Sequence, residues 1–246
     1  RVFTYSIGNF PTLRCLEQIR NDICYHEADV TIVTVGGGMA YGVLGPSHFA
    51  LEDLAIMRVL PNMTVAAPGD PEEVRQLVPQ LMALGGPSYL RLGRAGEPAV
   101  HTTGKEIILG KPTMVRSGES VCVLSTGGML SVAVEAVDSL IKEQGLSPSL
   151  FSVHTLSKID EEALTEVIEG HNLVVTCEEH SVVGGLGGLV AEHLAERNLG
   201  SRLVRIGLPH GFPSGIGSQE YLRELNSLDA VALARTISTE ARVLSE

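Results

Sequence analysis

The run Gly45-Pro46-Ser47-His48 concentrates more potential chemistry than any other stretch of this chain. A glycine–proline turn delivers an imidazole to the mouth of a helix expected over about residues 49–58, just beyond a buried strand. An imidazole at that place can donate to a ligand hydroxyl or carbonyl, or carry a proton. The unpaired N–H groups of a helix mouth add a preference for anions and oxygen-rich ligands. The same residues also suit a histidine that caps the helix or packs on its first turn. Local sequence leaves both readings open.

A second candidate follows the strand Tyr89-Leu90-Arg91-Leu92, where Arg91 and Arg94 are spaced to form a fork. Two guanidinium groups match phosphate oxygens in pairs, although two surface arginines on a sheet edge would look the same. Glu178-Glu179-His180 invites a metal reading that its geometry opposes. Three consecutive residues on a strand cannot all face one ion, and no partner ligands have matching spacing. The glycines of Ser181-Val182-Val183-Gly184-Gly185-Leu186-Gly187-Gly188 lack the GxGxxG spacing of a dinucleotide loop. Close packing is the better account of them. Ser125-Thr126-Gly127-Gly128 is a strand-to-helix turn, and turn formation suffices to explain it. No nucleophile elbow, P-loop or zinc motif occurs, so no metal ligands are assigned.

These residues must be held by an alternation of strands and helices. Val2–Ser6 reads as a strand. Pro11 suits a first helical turn, and Leu13, Leu16, Ile19 and Ile23 repeat at helical spacing. Val30–Val35 is a β-branched run typical of a strand buried on both faces. Asp70-Pro71-Glu72-Glu73 starts a helix. Strands are expected at Met63–Ala66, Ser88–Leu92, Val121–Ser125, Ser149–Val153, Leu173–Cys177 and Leu203–Ile206. Helices are expected at Leu130–Gln144, Glu161–Glu169 and Gly187–Arg197, with two more closing the chain. Such alternation implies right-handed crossovers and mostly parallel sheets. The expected fold class is therefore α/β, with two doubly wound, mostly parallel-sheet domains at residues 1–95 and 113–246. The glycine- and proline-punctuated residues 96–112 form the linker between them.

A length of 246 residues and 44% apolar content support two such cores. The net charge of −11 argues against nonspecific binding to nucleic acid or anionic membranes, and no apolar run reaches membrane-spanning length. Cys15, Cys24, Cys122 and Cys177 show no CxxC spacing and are expected to be buried, reduced thiols of a cytoplasmic protein. The chain opens on what reads as a core strand, so an N-terminal piece of the first domain is expected upstream.

Taken in order, the motifs resemble the C-terminal part of transketolase-type thiamine diphosphate enzymes, a group that includes deoxyxylulose-phosphate synthases and two-subunit transketolases. Leu16-Glu17-Gln18-Ile19-Arg20-Asn21-Asp22 resembles the helix signature of the pyrimidine-binding domain. Gly45-Pro46-Ser47-His48 is similar to that family's GPTH segment. Leu54–Arg58, Pro61-Asn62-Met63, Ala67-Pro68-Gly69-Asp70 and Pro87–Arg94 continue the pattern. Ser125-Thr126-Gly127, Leu156–Asp160 and Glu178–Gly187 resemble the family's C-terminal domain. The resemblance implies a partial pyrimidine-binding domain followed by a transketolase C-terminal domain. It further implies His48 as a catalytic, substrate-binding histidine, Arg94 as the binder of the substrate phosphate, and Phe10 as the aromatic against the cofactor's aminopyrimidine. Thiamine diphosphate and Mg²⁺ would be held mainly by another subunit or domain. The implied partner is an N-terminal, diphosphate-binding transketolase subunit, in a dimer or heterotetramer that acts on sugar phosphates.

The sequence departs from the pattern in places. Gly36-Gly37-Gly38 and Leu44 stand where the family usually carries donor-binding polar residues, and Ile7 and Leu13 replace pocket aromatics. An unusual donor sugar is expected for that reason. The family's catalytic glutamate would lie upstream of Arg1. A noncatalytic partner subunit and a 2-oxo-acid dehydrogenase β-like subunit are the competing readings, and Arg94 speaks against the second.

Overall fold

The computed structural model describes residues 1–244. The first sheet has the order β1-β2-β4-β3 and is parallel throughout. Its strands are β1 (Val2–Ile7), β2 (Val30–Val35), β3 (Thr64–Ala66) and β4 (Ser88–Arg91). Its helices are α1 (Asn9–Arg14), α2 (Leu16–Gln18), α3 (Asp53–Val59) and α4 (Pro71–Leu84). Asp70 Oδ1 accepts the Glu73 N–H at 2.8 Å and Glu73 Oε2 accepts the Gly69 N–H at 2.6 Å. This reciprocal cap explains the sharp start of α4.

The second sheet runs β5-β7-β6-β8-β9, with β5 antiparallel and the rest parallel. It comprises β5 (Thr113–Arg116), β6 (Val121–Ser125), β7 (Ser149–Ser152), β8 (Leu173–Ser181) and β9 (Arg202–Leu208). Around it lie α5 (Met129–Gln144), α6 (Glu161–Ile168), α7 (Leu186–Glu196), α8 (Gln219–Leu225) and α9 (Ala230–Val243). The α/β expectation holds in both sheets. No helix among the described residues is long and apolar enough to cross a membrane.

Four local expectations are corrected. The single helix expected around residues 11–23 is broken at Cys15 (φ −112°, ψ 18°), and Ile19–Cys24 winds as a π-helix. The helix expected from Phe49 begins only at Asp53. Phe49 is extended (φ −74°, ψ 134°), and Ala50 forms an antiparallel bridge with Gly38, which holds these residues out of the helix. The antiparallel edge strand β5 escapes the alternation rule because it is only four residues long, buries Thr113 alone, and follows an irregular segment. Cys15 is exposed, whereas Cys24, Cys122 and Cys177 are buried and free.

The two sheets share their cores. One apolar cluster joins Leu54, Met57 and Val65 of the first sheet's layers to Leu124, Val153 and Leu186 of the second's. Fully burying side chains of this size stabilises by about 1.5–3 kcal/mol each. The outer edge of β3 is completed by the segment after β7. Leu156 N donates to Val65 O, Val65 N donates to Ser157 Oγ, and Ala67 N donates to His154 O. From α3, Arg58 reaches the carbonyls of Leu156, Gly184 and Gly185. The opposite edge, β1, presents Val2, Phe3 and Tyr5 to solvent.

Candidate functional site

Parallel α/β sheets place ligands beyond the C-terminal ends of their strands, and the segments that follow β1 and β2 meet there. Gly8 ends β1, and α1 carries Asn9 and Phe10. The glycine loop after β2 leads to the 3₁₀ turn Pro46–His48. Asn9 Nδ2 donates to Ser47 O at 2.6 Å, fastening the two segments together. The Phe10 ring then meets His48 edge-on, with centroids 5.2 Å apart. Arg14 lies over the Phe10 ring at 4.5 Å, a cation–π contact that fixes the ring from another side.

His48 is half-buried and ends a tight turn rather than lying at a helix mouth, so the helix-terminal N–H groups expected beside it are not there. Its Nδ1 is paired with Ser47 Oγ at 3.0 Å, and Nε2, across the ring from that contact, makes no hydrogen bond among the described residues. Two of the residues singled out in the sequence are therefore brought together. Asn9 and Ser47 hold them; the sequence placed Ser47 in the Gly45–His48 run but gave it no role of its own, and it did not single out Asn9. The only available signal was their position beside Phe10 and His48.

Arg94 follows β4, next to β2 in the sheet, and is exposed. Among the described residues its main-chain N–H meets Glu97 Oε1 at 3.4 Å. It lines a cleft of about 480 Å³ shared with Glu135, Glu220, Arg223 and Glu224. It also lines a more apolar cleft of about 370 Å³ shared with Val35, Pro68 and Val74. No hydrogen bond or ion pair among the described residues joins it to His48 or Phe10. The proposed fork with Arg91 does not form. Arg91 is buried and pairs with Asp53 Oδ2 at 2.9 Å, and its Nη2 donates to Ala50 O and Glu179 O. Asp53 also accepts the Tyr89 hydroxyl at 2.6 Å. Burial and this carboxylate hold the Tyr89 hydroxyl well above the usual tyrosine range.

Glu178-Glu179-His180 binds the molecule together in three directions. Glu178 accepts the N–H groups of Leu186 and Gly187 at the start of α7. Burial pushes its carboxyl up to about 7, against the pull of those two donors. Glu179 accepts from Met39 N–H, Gln219 Nε2 and Arg223 Nε. His180 donates from Nδ1 to Ser181 O at 2.7 Å and accepts the Ala55 N–H at Nε2, a pattern only the neutral imidazole can make. The packing reading of the neighbouring glycines also holds. A Cβ at Gly184 would lie 2.6 Å from the Ala55 Cβ, and one at Gly185 1.9 Å from Glu178 Oε2. No group of three or more His, Cys, Asp or Glu among the described residues is arranged to hold a metal ion.

Burial lowers the His180 pKa to about 4. Between the ordinary histidine value of about 6.5 and 4, the unfolded chain binds the proton more readily than the fold does. The stability His180 contributes is therefore complete above about pH 6.5 and is lost as pH falls toward 4. Urea midpoints of the wild type and His180→Gln should differ at pH 7 and converge by pH 4. A gap independent of pH would contradict this.

Models of the transketolase pyrimidine-binding domain and the transketolase C-terminal domain match residues 1–96 and 110–229. The chain belongs to the transketolase family. A putative transketolase C-terminal section from Methanocaldococcus jannaschii is 34% identical over 243 residues, which is 98% of this chain and 75% of that protein. One subunit of the apulose-4-phosphate transketolase of Phocaeicola vulgatus is 34% identical over 84% of this chain and 66% of its own length. Among solved structures, a split gene transketolase described as an inactive β4 tetramer superposes with a TM-score of 0.86. It is 35% identical, over 96% of this chain and 75% of that one. The resemblance in the motifs is thus borne out along the chain. This transketolase-family chain compares with C-terminal sections and single subunits of split enzymes.

Proposed function

We propose that this chain is the C-terminal subunit, or C-terminal portion, of a transketolase-like enzyme that moves a two-carbon ketol unit between sugar phosphates with thiamine diphosphate and Mg²⁺. Residues 1–95 form its partial pyrimidine-binding domain, 96–112 the linker and 113–246 the transketolase C-terminal domain. The Phe10–His48 contact carries the reading. Phe10 offers a flat apolar surface with little rotamer freedom to lose, and His48 turns Nε2 away from its Ser47 contact. This donor set suits a ligand ring with an apolar body and polar edges, such as an aminopyrimidine. When bound, thiamine diphosphate supplies the carbanion chemistry. Phe10 packs on its pyrimidine, while His48 hydrogen-bonds the sugar oxygens and holds or releases a proton at Nε2. Arg94 takes the phosphate.

The diphosphate and Mg²⁺ are assigned to another subunit or domain, because the Gly-Asp-Gly segment the resemblance requires does not occur in these residues. The partner is an N-terminal, diphosphate-binding subunit, in a dimer or heterotetramer. The names of the relatives, one a C-terminal section and the other a single subunit of its enzyme, support this. A cytoplasmic location accords with the free, buried Cys24, Cys122 and Cys177. The glycine loop does not favour the noncatalytic reading. A Cβ at Gly37 would lie 2.8 Å from Arg91 Nε and one at Gly38 2.4 Å from Glu179 Oε1, so packing alone demands glycine there.

The test is to mix this chain with a subunit carrying the diphosphate domain, thiamine diphosphate and Mg²⁺, then measure cofactor binding and ketol transfer. Failure of every such mixture to bind cofactor would favour the noncatalytic partner. Within an active mixture, Arg94→Ala should raise KM for phosphorylated substrates by about 10- to 100-fold, the worth of a charged hydrogen bond. Unphosphorylated sugars should be unaffected. An equal rise for both would remove the phosphate role.

A further inference from the structure

His48 sits on a loop of the first domain whose neck is built by the second. Gly38 and Ala50 close that neck by exchanging two main-chain hydrogen bonds of 3.0 and 2.9 Å. The residues beside the closure do not pack into the first sheet's own core. Met39, Phe49 and Leu51 are buried in the second domain's cluster, with Val123, Val175 and Leu208. Polar contacts repeat the pattern. The Glu179 carboxylate, at the end of β8, accepts the Met39 N–H. Ser181 N donates to Leu51 O at 2.9 Å, and the Arg91 guanidinium bridges the carbonyls of Ala50 and Glu179.

Glu179 is itself held rigid. Arg223 Nε lies 2.6 Å from Oε2, and Gln219 Nε2 reaches both oxygens at 2.9 and 3.0 Å. Gly38 has a φ of +68° and leaves the gap into which the carboxylate fits. The far side of the loop is propped as well, because Gly217 N donates to Gly42 O at 3.3 Å. A buried carboxylate with every contact satisfied fixes geometry more firmly than apolar packing does, because its hydrogen bonds are directional.

We propose that Glu179 is a positioning residue for His48: its carboxylate clasps the neck of the His48 loop and makes the placement of that histidine conditional on docking of the two domains. Glu179 touches neither His48 nor Phe10 in the contacts described above. It acts through Met39 and the Gly38–Ala50 closure. The link to turnover rests on the functional reading given above, whereas the clasp itself does not.

The test compares Glu179→Ala with Arg58→Met in the full chain. Arg58 also spans the domains, but its bonds go to Leu156, Gly184, Gly185 and Glu192, away from the neck. Hydrogen–deuterium exchange at residues 38–50 should accelerate at least about tenfold in Glu179→Ala and stay unchanged in Arg58→Met. Equal acceleration in both variants, or none in Glu179→Ala, would overturn the proposal. If Glu179→Ala does not fold, Glu179→Gln takes its place. It keeps an acceptor for Met39 while turning an amide N–H₂ toward Arg223, and the same contrast is required of it. In the active mixture, Glu179→Ala should lower kcat by about 10- to 100-fold through misplacement, and should lower it no further in a His48→Ala background. Full additivity of the two losses would refute action through His48. An exchange result as expected, with His48→Ala fully active, would leave the clasp standing and remove the functional reading instead.

Discussion

Replacing His48 by alanine is expected to slow ketol transfer in the active mixture by about 10²- to 10⁴-fold, the range spanned by positioned general acids and bases. The geometry argues for an effect on kcat more than on KM. Ser47 Oγ holds Nδ1 and the Phe10 edge limits rotation of the ring, so Nε2 is aimed before a substrate arrives. A group oriented in advance contributes most where charge and protons move, in the transition state. His48→Gln should recover part of the loss, because an amide can still hydrogen-bond sugar oxygens but cannot carry a proton. Ser47→Ala should cost far less than either, since it frees the ring without removing it. Steady-state kinetics over a series of ketose phosphates checks all three. An unchanged kcat in His48→Ala would remove the histidine from the reaction.

The second large effect is on stability. Asp53→Ala is expected to cost about 3–5 kcal/mol, the usual penalty for stranding one member of a buried ion pair. The Asp53 and Arg91 side chains are 1% and 4% exposed, so water cannot replace the lost partner. Burial works against the Arg91 charge, and Asp53 is the main group that sustains it. Tyr89 would lose its acceptor in the same step. Arg91→Met in the Asp53→Leu background should recover much of the loss, because an apolar pair of similar volume leaves no charge behind. Urea denaturation of Asp53→Leu, Arg91→Met and the double variant measures the coupling. An Asp53→Ala cost below about 1 kcal/mol, typical of exposed pairs, would show that the pair is not behaving as buried.

Most of the architecture was legible from local pattern. Val30–Val35 and Val121–Ser125 are β-branched or apolar runs bounded by turns, and Asp70-Pro71 announces its helix through a cap. Such signals arise within a few residues and survive into the fold. The helix expected at Phe49 failed because a partner twelve residues earlier, Gly38, claims the Ala50 backbone. The Arg91 fork failed for a similar reason. In sequence Arg91 looks like Arg94, and only the burial of Asp53 beneath it shows which of the two is occupied. Gly36-Gly37-Gly38 read as missing ligand-binding side chains, yet the neighbours that require glycine at Gly37 and Gly38 lie 54 and 141 residues onward, at Arg91 and Glu179. What the sequence concealed was long-range: which buried charge meets which. Phe10 became a candidate only through resemblance, since no spacing within the chain ties it to His48.

The way the second half finishes the outer edge of β3 bears on how the chain is made. Val65 waits for Ser157, 92 positions later, before its N–H is satisfied. During synthesis the first sheet therefore emerges with its β3 border unpaired in addition to the β1 edge, and contacts so distant in sequence form slowly because a long loop must close first. An unpaired strand border is a template for pairing with another chain. The hazard is greatest for nascent or truncated forms ending before residue 154, and it subsides once Thr155–Ser157 can cover the border. Released chains ending at residue 150 should aggregate faster than released chains ending just past residue 160, which can cover the β3 border.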